Sequence, residues 1–268
     1  TKVPAPYWYG AKAAGYGDIG PEEFGRLIAR ETEEAILKIG PERIASFSAE
    51  PVQGAGGLIV PPDSYWPDIA RILKKHDILL HTDEVVTGFG RTGEWFGSRH
   101  YGLQPDILTM AKGLSSGYQP ISAVSLGDRM GEVIAGADEE LVHGYTYSGH
   151  PVACAAAVAT LKLFAEEQLF DRAAAMAPLL GDAVHQAMRG LPHVVGIRSL
   201  GLAAAVELSP SAHGVGQRGY QVFRDCLSHG VLVRSAGDNL VLAPAYVVEP
   251  AQITHMVDVL AQAIKRLA

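Results

Sequence analysis

Apolar residues recur along the chain in two rhythms. Between residues 21 and 40, Phe24, Leu27, Ile28, Ala35, Ile36 and Ile39 fall on one face of a 3.6-residue helix. Pro21 suits the first helical position, Glu22 and Glu23 sit at the positive end of the helix dipole, and Gly40-Pro41 stops the helix. Short apolar runs then alternate with longer amphipathic ones. Ile44 to Ala49 reads as a strand, Tyr65 to His76 as a helix, and Ile78 to His81 as a buried strand running into Asp83-Glu84. Ile107 to Ala111 and Ile121 to Leu126 read as two further strands. Glycine-rich loops fill Gly54 to Pro62 and Gly88 to Gly97. This alternation predicts an α/β fold with a mainly parallel sheet.

The character changes after Pro151. An alanine-rich helix is expected over Val152 to Phe164 and a second over Asp171 to Met188. Strand-like runs follow at Val194–Ile197, Leu202–Leu208 and Val231–Val233. A closing helix carries Ile253, Met256, Val257, Leu260, Ile264 and Leu267 on one face. The pattern predicts a smaller α+β domain over residues 166–268 behind a larger one over 1–165.

Composition narrows the functional classes. The 268 residues are 48% hydrophobic, so a sizeable core is available. A net charge of -7 argues against a nucleic-acid partner. No run of eighteen apolar residues predicts a membrane span, and the first nine residues lack a signal-peptide pattern. Cys154 and Cys226 form neither a disulfide framework nor a metal spacing, which suits a cytoplasmic protein, and the histidines show no metal-binding spacing. The chain does not begin with Met, and Tyr7-Trp8-Tyr9 reads as the middle of a longer sequence.

Three ionisable residues directly follow apolar runs: Glu50, Asp83 and Lys112. Open α/β sheets bind ligands outside the carboxyl ends of their strands, so all three are carried towards one rim. An amine and an acid on one rim suit pyridoxal phosphate chemistry. The amine forms a Schiff base with the cofactor aldehyde, and the acid keeps the pyridine nitrogen protonated. Burial beside the strand would depress the Lys112 amine, and Gly113 would let a planar cofactor approach. Each residue also has an ordinary reading: Lys112 as a solvent lysine, Asp83 as a turn-capping acid, Gly54 to Gly57 as a simple turn. Asp83-Glu84 after an apolar strand also suits an ATPase acid, but no GxxxxGK[ST] loop accompanies it. Thr146 and Ser148 precede a helix start, where hydroxyls either bind an anion or cap the helix. Arg234, after Val231-Leu-Val, could fork onto a carboxylate or form a surface ion pair.

Taken together and in order, four segments resemble the class III aminotransferases, a branch of the fold-type-I pyridoxal phosphate enzymes. They are Ala49-Glu50-Pro51-Val-Gln-Gly-Ala-Gly-Gly57, Asp83-Glu84-Val-Val-Thr-Gly-Phe-Gly-Arg91-Thr-Gly93, Ala111-Lys112-Gly113-Leu114 and Thr146-Tyr-Ser-Gly-His-Pro151. Pro61-Pro-Asp-Ser-Tyr-Trp66 and Gly93-Glu-Trp-Phe-Gly97 further resemble the amine:pyruvate and ω-amino acid:pyruvate group.

The resemblance implies a mainly parallel sheet with helices on both faces, incomplete in this chain, with pyridoxal 5′-phosphate as cofactor and Lys112 as the Schiff-base lysine that also moves the substrate proton. Asp83 would pair with the pyridine nitrogen, Val85 would pack on the ring, and Thr146 would reach the phosphate in the partner subunit of a homodimer. Arg234 would bind substrate carboxylates, and Glu50 would shape that pocket and pair with Arg234 in its absence. The implied reaction moves an amino group from an amine or ω-amino acid to a 2-oxo acid, expected to be pyruvate, in ping-pong fashion. An aminomutase of the same fold is the alternative. Many family members carry Gln where Val86 stands. The family's N-terminal part, with its phosphate loop and ring-stacking aromatic, has no counterpart here, so the isolated 268-residue chain is expected to be inactive without a complementary fragment.

Overall fold

The computed structural model describes residues 1–267. Its first helix, α1 (Pro21–Ile39), starts and stops where the sequence places it, and Gly40 ends it with φ +93°. It buries Phe24, Ile28, Ala29, Thr32 and Ile36. At Gly25 a Cβ would lie 2.3 Å from Ser64 Oγ, so only glycine lets α1 lie this close to the Pro62–Tyr65 segment. Strand β1 (Ser46–Ala49), helix α2 (Tyr65–Lys75) and strand β2 (Leu79–Asp83) follow. A short helix, α3 (Gly97–His100), precedes β3 (Ile107–Met110), and β4 (Ala123–Leu126) leads into α4 (Asp128–Ala135).

These four strands form one sheet in the order β1-β2-β3-β4. The first three are parallel, as expected, but β4 runs antiparallel to β3, with Thr109 opposite Val124. No crossover helix connects β3 to β4, only one helical turn at Lys112–Leu114 and a loop, so the parallel rule does not bind this pair.

Register divides the sheet into two faces. Phe47, Ala49 and Leu80 pack with α1 and α2 in one cluster that includes Trp66, Ile69 and Ile72. Further along, Met110 and Ala123 pack with Phe89, Leu114, Ala157 and Phe164. The opposite face presents Ser48, His81, Asp83, Ile107, Thr109, Val124 and Leu126. Val124 is 61% exposed and Leu126 38%. Among the described residues helices cover one face, so the two-sided covering of this fold is incomplete in this chain, as expected.

The long helix α5 (Pro151–Glu166) has Pro151 at its first turn but His150, not Ser148, at its N-cap. Gln168, at φ +50°, breaks the path before α6 (Leu169–Met188). Phe164 and Phe170 pack across this break at 5.2 Å. Beyond it lie β5 (Val194–Ser199), β6 (Ala204–Leu208), α7 (Gln217–Ser228), β7 (Arg234–Ala236), β8 (Asn239–Leu242) and α8 (Pro250–Lys265). A reciprocal pair of contacts between Glu249 and Gln252 caps α8.

The second sheet runs β5-β6-β8-β7, all antiparallel. Ala204, Val206, Leu208, Leu240 and Leu242 face the core built with α6, α7 and α8. The alternate residues Ala205 and Val241 meet Val52 and Leu58, from the glycine loop after β1. The third expected strand shifts: Val231 and Val233 are buried ahead of β7, which begins at Arg234.

Candidate active site

The carboxyl ends of β1, β2 and β3 carry Glu50, Asp83 and Lys112, as the strand pattern required. Asp83 is half-buried, and its Oδ1 accepts the Val85 amide at 3.0 Å. Its Oδ2 has no hydrogen-bond partner among the described residues. Glu50 is half-buried and accepts the Gly54 amide at 2.9 Å. Burial raises the Glu50 carboxyl above the usual range, the neighbouring Asp83 charge adds to the rise, and Lys112 opposes it. Asp83 and Lys112 therefore both lie within electrostatic reach of Glu50.

Lys112 differs from the sequence reading in one respect. It is exposed, not buried beside the strand. It also has φ +42°, in the left-handed region that costs an ordinary residue about 1–2 kcal/mol. Gly113 serves a neighbour within the chain, since a Cβ there would lie 3.0 Å from Phe89. The glycine loop is likewise shaped by packing. A Cβ on Gly54 would meet Val86 at 2.5 Å, which gives the Val86 side chain a place against the loop backbone.

The remaining assigned residues lie apart. Thr146 occupies an exposed turn in which Ser148 Oγ accepts the Tyr145 amide at 3.1 Å. Ser148 thus closes a turn and caps no helix. Arg234 is exposed and opens an edge strand, where the sequence had placed it after a strand. Its register partner is Val241, so it projects towards the sheet side that meets Val52 and Leu58. It lines a cleft of about 590 Å³ with Tyr220, Phe223 and Leu232; neither Asp83 nor Lys112 lines that cleft. The expected Glu50–Arg234 pair does not form. Glu50 is engaged by the Gly54 amide instead.

Sequence reasoning missed three residues that fix this rim, two of them buried and Arg91 partly so. Glu84 is fully buried and accepts the Gly97 and Ser98 amides at 2.8 and 2.6 Å, together with the Thr87 hydroxyl. It pins the end of β2 to the start of α3, while Asp83 beside it faces the open side. Arg91 donates to the Leu202 and Pro244 carbonyls at 2.8 Å each and lies over the Tyr246 ring. It ties the loop after β2 to the second sheet. Arg198, only 5% exposed, donates to the Gly57 and Leu58 carbonyls at 2.7 Å and pairs with Glu207 at 2.9 Å. It holds the glycine loop against β5. An isolated arginine in a strand with no apolar alternation break was the available signal for Arg198. Glu84 had none beyond adjacency to Asp83.

The residues present suit pyridoxal 5′-phosphate: an amine for its aldehyde, and a carboxylate with one oxygen unpartnered for its ring nitrogen. No three His, Cys, Asp or Glu side chains among the described residues are grouped to hold a metal.

Comparison with known proteins is consistent along nearly the whole chain. Residues 9–264 match the family model described as aminotransferase class-III. A putrescine–pyruvate aminotransferase of Pseudomonas aeruginosa is 43% identical over 265 residues, covering 95% of this chain and 56% of that protein. A mitochondrial gamma-aminobutyrate transaminase 1 of Oryza sativa subsp. indica is 42% identical, covering 91% of this chain and 49% of that protein. The structure of the omega transaminase from Pseudomonas jessenii in complex with PMP superposes with a TM-score of 0.91 at 41% identity, over 97% of this chain and 59% of that one. The chain thus spans about half the length of the curated relatives it matches. With the strand order, the rim residues and these matches in agreement, the chain belongs to the class-III aminotransferases, a family of pyridoxal-phosphate enzymes.

Proposed function

We propose that the protein is a transaminase that moves an amino group from a diamine or ω-amino acid to a 2-oxo acid, with pyruvate as acceptor, by ping-pong exchange. The observation that carries this reading is the placement of Glu50, Asp83 and Lys112 after the carboxyl ends of three neighbouring parallel strands. The name of the putrescine–pyruvate relative supports the choice of donor and acceptor.

In this reading Lys112 would hold the cofactor through Nζ and would carry the proton to and from the substrate carbon. Bound pyridoxal phosphate supplies an electron-withdrawing ring that accepts the electrons of the bond being broken. Asp83 would keep the ring nitrogen protonated through its carboxylate, whose Oδ1 the Val85 amide holds in place. Val85 would lie against the ring. Glu50 shapes the substrate side of the rim, and Arg234 takes the substrate carboxylate by a bidentate pair. The protein works as a cytoplasmic homodimer in which Thr146, on its exposed turn, reaches the phosphate bound in the partner subunit. The division into domains falls between residues 165 and 166, beside the break at Gln168.

A second reading has one observation behind it. The uncovered sheet face, with Val124 and Leu126 exposed beside Asp83, suits a stretch that is inactive until a complementary segment covers it.

Substitution of Asp83 tests the first reading. In the full-length protein Asp83→Asn should leave the fold intact and slow single-turnover deamination of a donor on the order of 100-fold or more. Near-parental rates would remove Asp83 from the reaction.

A further inference from the structure

The glycine loop that follows Glu50 closes on itself. Gln53 and Ile59 exchange backbone hydrogen bonds at 3.1 and 2.9 Å, so residues 53–59 form a small hairpin. At its base the Gly54 amide donates to Glu50 Oε2 at 2.9 Å. At its tip Arg198 donates to the Leu58 carbonyl through Nε and to the Gly57 carbonyl through Nη2, each at 2.7 Å. Gly57 has φ +104°, and a Cβ there would lie 2.9 Å from Asn239 Cβ, so only glycine seats the tip on β8.

Arg198 is itself held from several sides. Nη1 pairs with Glu207 at 2.9 Å, and Nη2 also donates to Asn239 Oδ1. The Tyr7 and Tyr9 ring centres lie 5.5 and 5.4 Å from the guanidinium carbon. The Tyr9 hydroxyl fixes its ring to β5 by donating to the Ile197 carbonyl at 2.7 Å. Gly196 makes the room, since a Cβ there would lie 2.7 Å from the Tyr9 ring. Buried and engaged through all three nitrogens, Arg198 is not placed to bind a ligand. A planar fork across two successive carbonyls, a carboxylate and an amide oxygen fixes orientation as well as distance. The contacts thus run unbroken from the C-terminal sheet, through one hairpin, to the Glu50 carboxylate.

We propose that Arg198 is a positioning residue for Glu50: through the hairpin it fixes the carboxylate on the substrate side of the rim, and so sets how well the pocket holds the amino donor. The proposal rests on the reading of Glu50 as a wall of that pocket. A lysine at 198 keeps the charge beside Glu207 but cannot span both carbonyls and Asn239 at once.

Hydrogen exchange followed by NMR, in the full-length protein freed of cofactor, tests the hold on the loop. Arg198→Lys should speed exchange of the Gly54 and Ile59 amides on the order of tenfold, and by more than that of Leu260 in the C-terminal core. Gly57→Ala crowds the tip from the other side and leaves Arg198 and Glu207 in place. It should act in the same way, and it decides alone if Arg198→Lys does not fold. Acceleration at Gly54 no greater than at Leu260 overturns the proposal. Steady-state kinetics test the link to Glu50. Arg198→Lys should raise the donor KM roughly three- to tenfold with kcat little changed. In a Glu50→Gln background it should add nothing further, because both changes act through one carboxylate. A donor KM unmoved by Arg198→Lys, or raised equally in both backgrounds, also overturns the proposal. The reading of Glu50 itself fails by a different result, a donor KM left at the parental value by Glu50→Gln alone.

Discussion

The C-terminal sheet is closed on both sides. Ala204, Val206, Leu208, Leu240 and Leu242 press against three helices, and Ala205 and Val241 press against the loop after β1. The N-terminal sheet has one such side, and its other side carries Ser48, His81, Asp83 and Thr109 beside exposed Val124 and Leu126. The second sheet packs through apolar side chains that need only volume, and its buried Arg198–Glu207 pair finds its partners within the chain. The first carries polar groups whose partners come from elsewhere: a cofactor, a substrate or further protein. The closed sheet acts as a support, through Arg91 and Arg198, for a rim whose chemistry sits on the open one.

This contrast predicts unequal responses to truncation. Leu260 is fully buried in the C-terminal core, and Leu260→Ala should cost about 2–5 kcal/mol in urea denaturation. Val124→Ala, on the open face of this 268-residue chain, should cost less than about 0.5 kcal/mol. A similar loss at both positions would mean that the first sheet's face is covered after all.

A smaller effect separates stability from function at Lys112. Its φ of +42° strains any residue with a Cβ. Lys112→Gly should therefore be more stable than Lys112→Ala by about 1 kcal/mol, although neither variant can hold a cofactor by a covalent bond. Equal melting points for the two would show that the backbone there is not strained.

The smallest effect concerns pH. Glu50's folded pKa is raised, chiefly by burial, so the folded state holds the proton more tightly than the unfolded one. Its contribution to stability is therefore full at low pH and is lost as pH rises through the folded value. Glu50→Gln keeps an acceptor for the Gly54 amide and removes the charge. It should raise the melting temperature at pH 7, and the gain should vanish below about pH 4, where the parent is protonated too. A gain independent of pH would place its origin in packing.

Much of the region around the N-terminal sheet was legible because its signals are local. The Pro21 start and Gly40 stop of α1, and the apolar runs of β1 to β3, depend on neighbours in sequence. The strand-end rule then placed Glu50, Asp83 and Lys112 on one rim before any coordinates. Non-local features were not legible. The reversal of β4 depends on a connection without a helix, and the position of β7 depends on its pairing with β8, a strand that went unread along with α7. Arg234 moved from a strand's end to a strand's start for that reason. The role of Glu84 depends on amides thirteen and fourteen residues away, and that of Arg198 on carbonyls roughly 140 residues away. The exposure of Lys112 shows the limit of a desolvation argument made from one strand: burial is set by what covers the strand end.

The account stands or falls on Lys112. Reduction of the full-length, pyridoxal-phosphate-loaded protein with borohydride, followed by peptide mapping, should place a single pyridoxyl group on the peptide containing Met110-Ala111-Lys112-Gly113. Label on Lys74, Lys75 or any other lysine, with Lys112 unmodified, would contradict it.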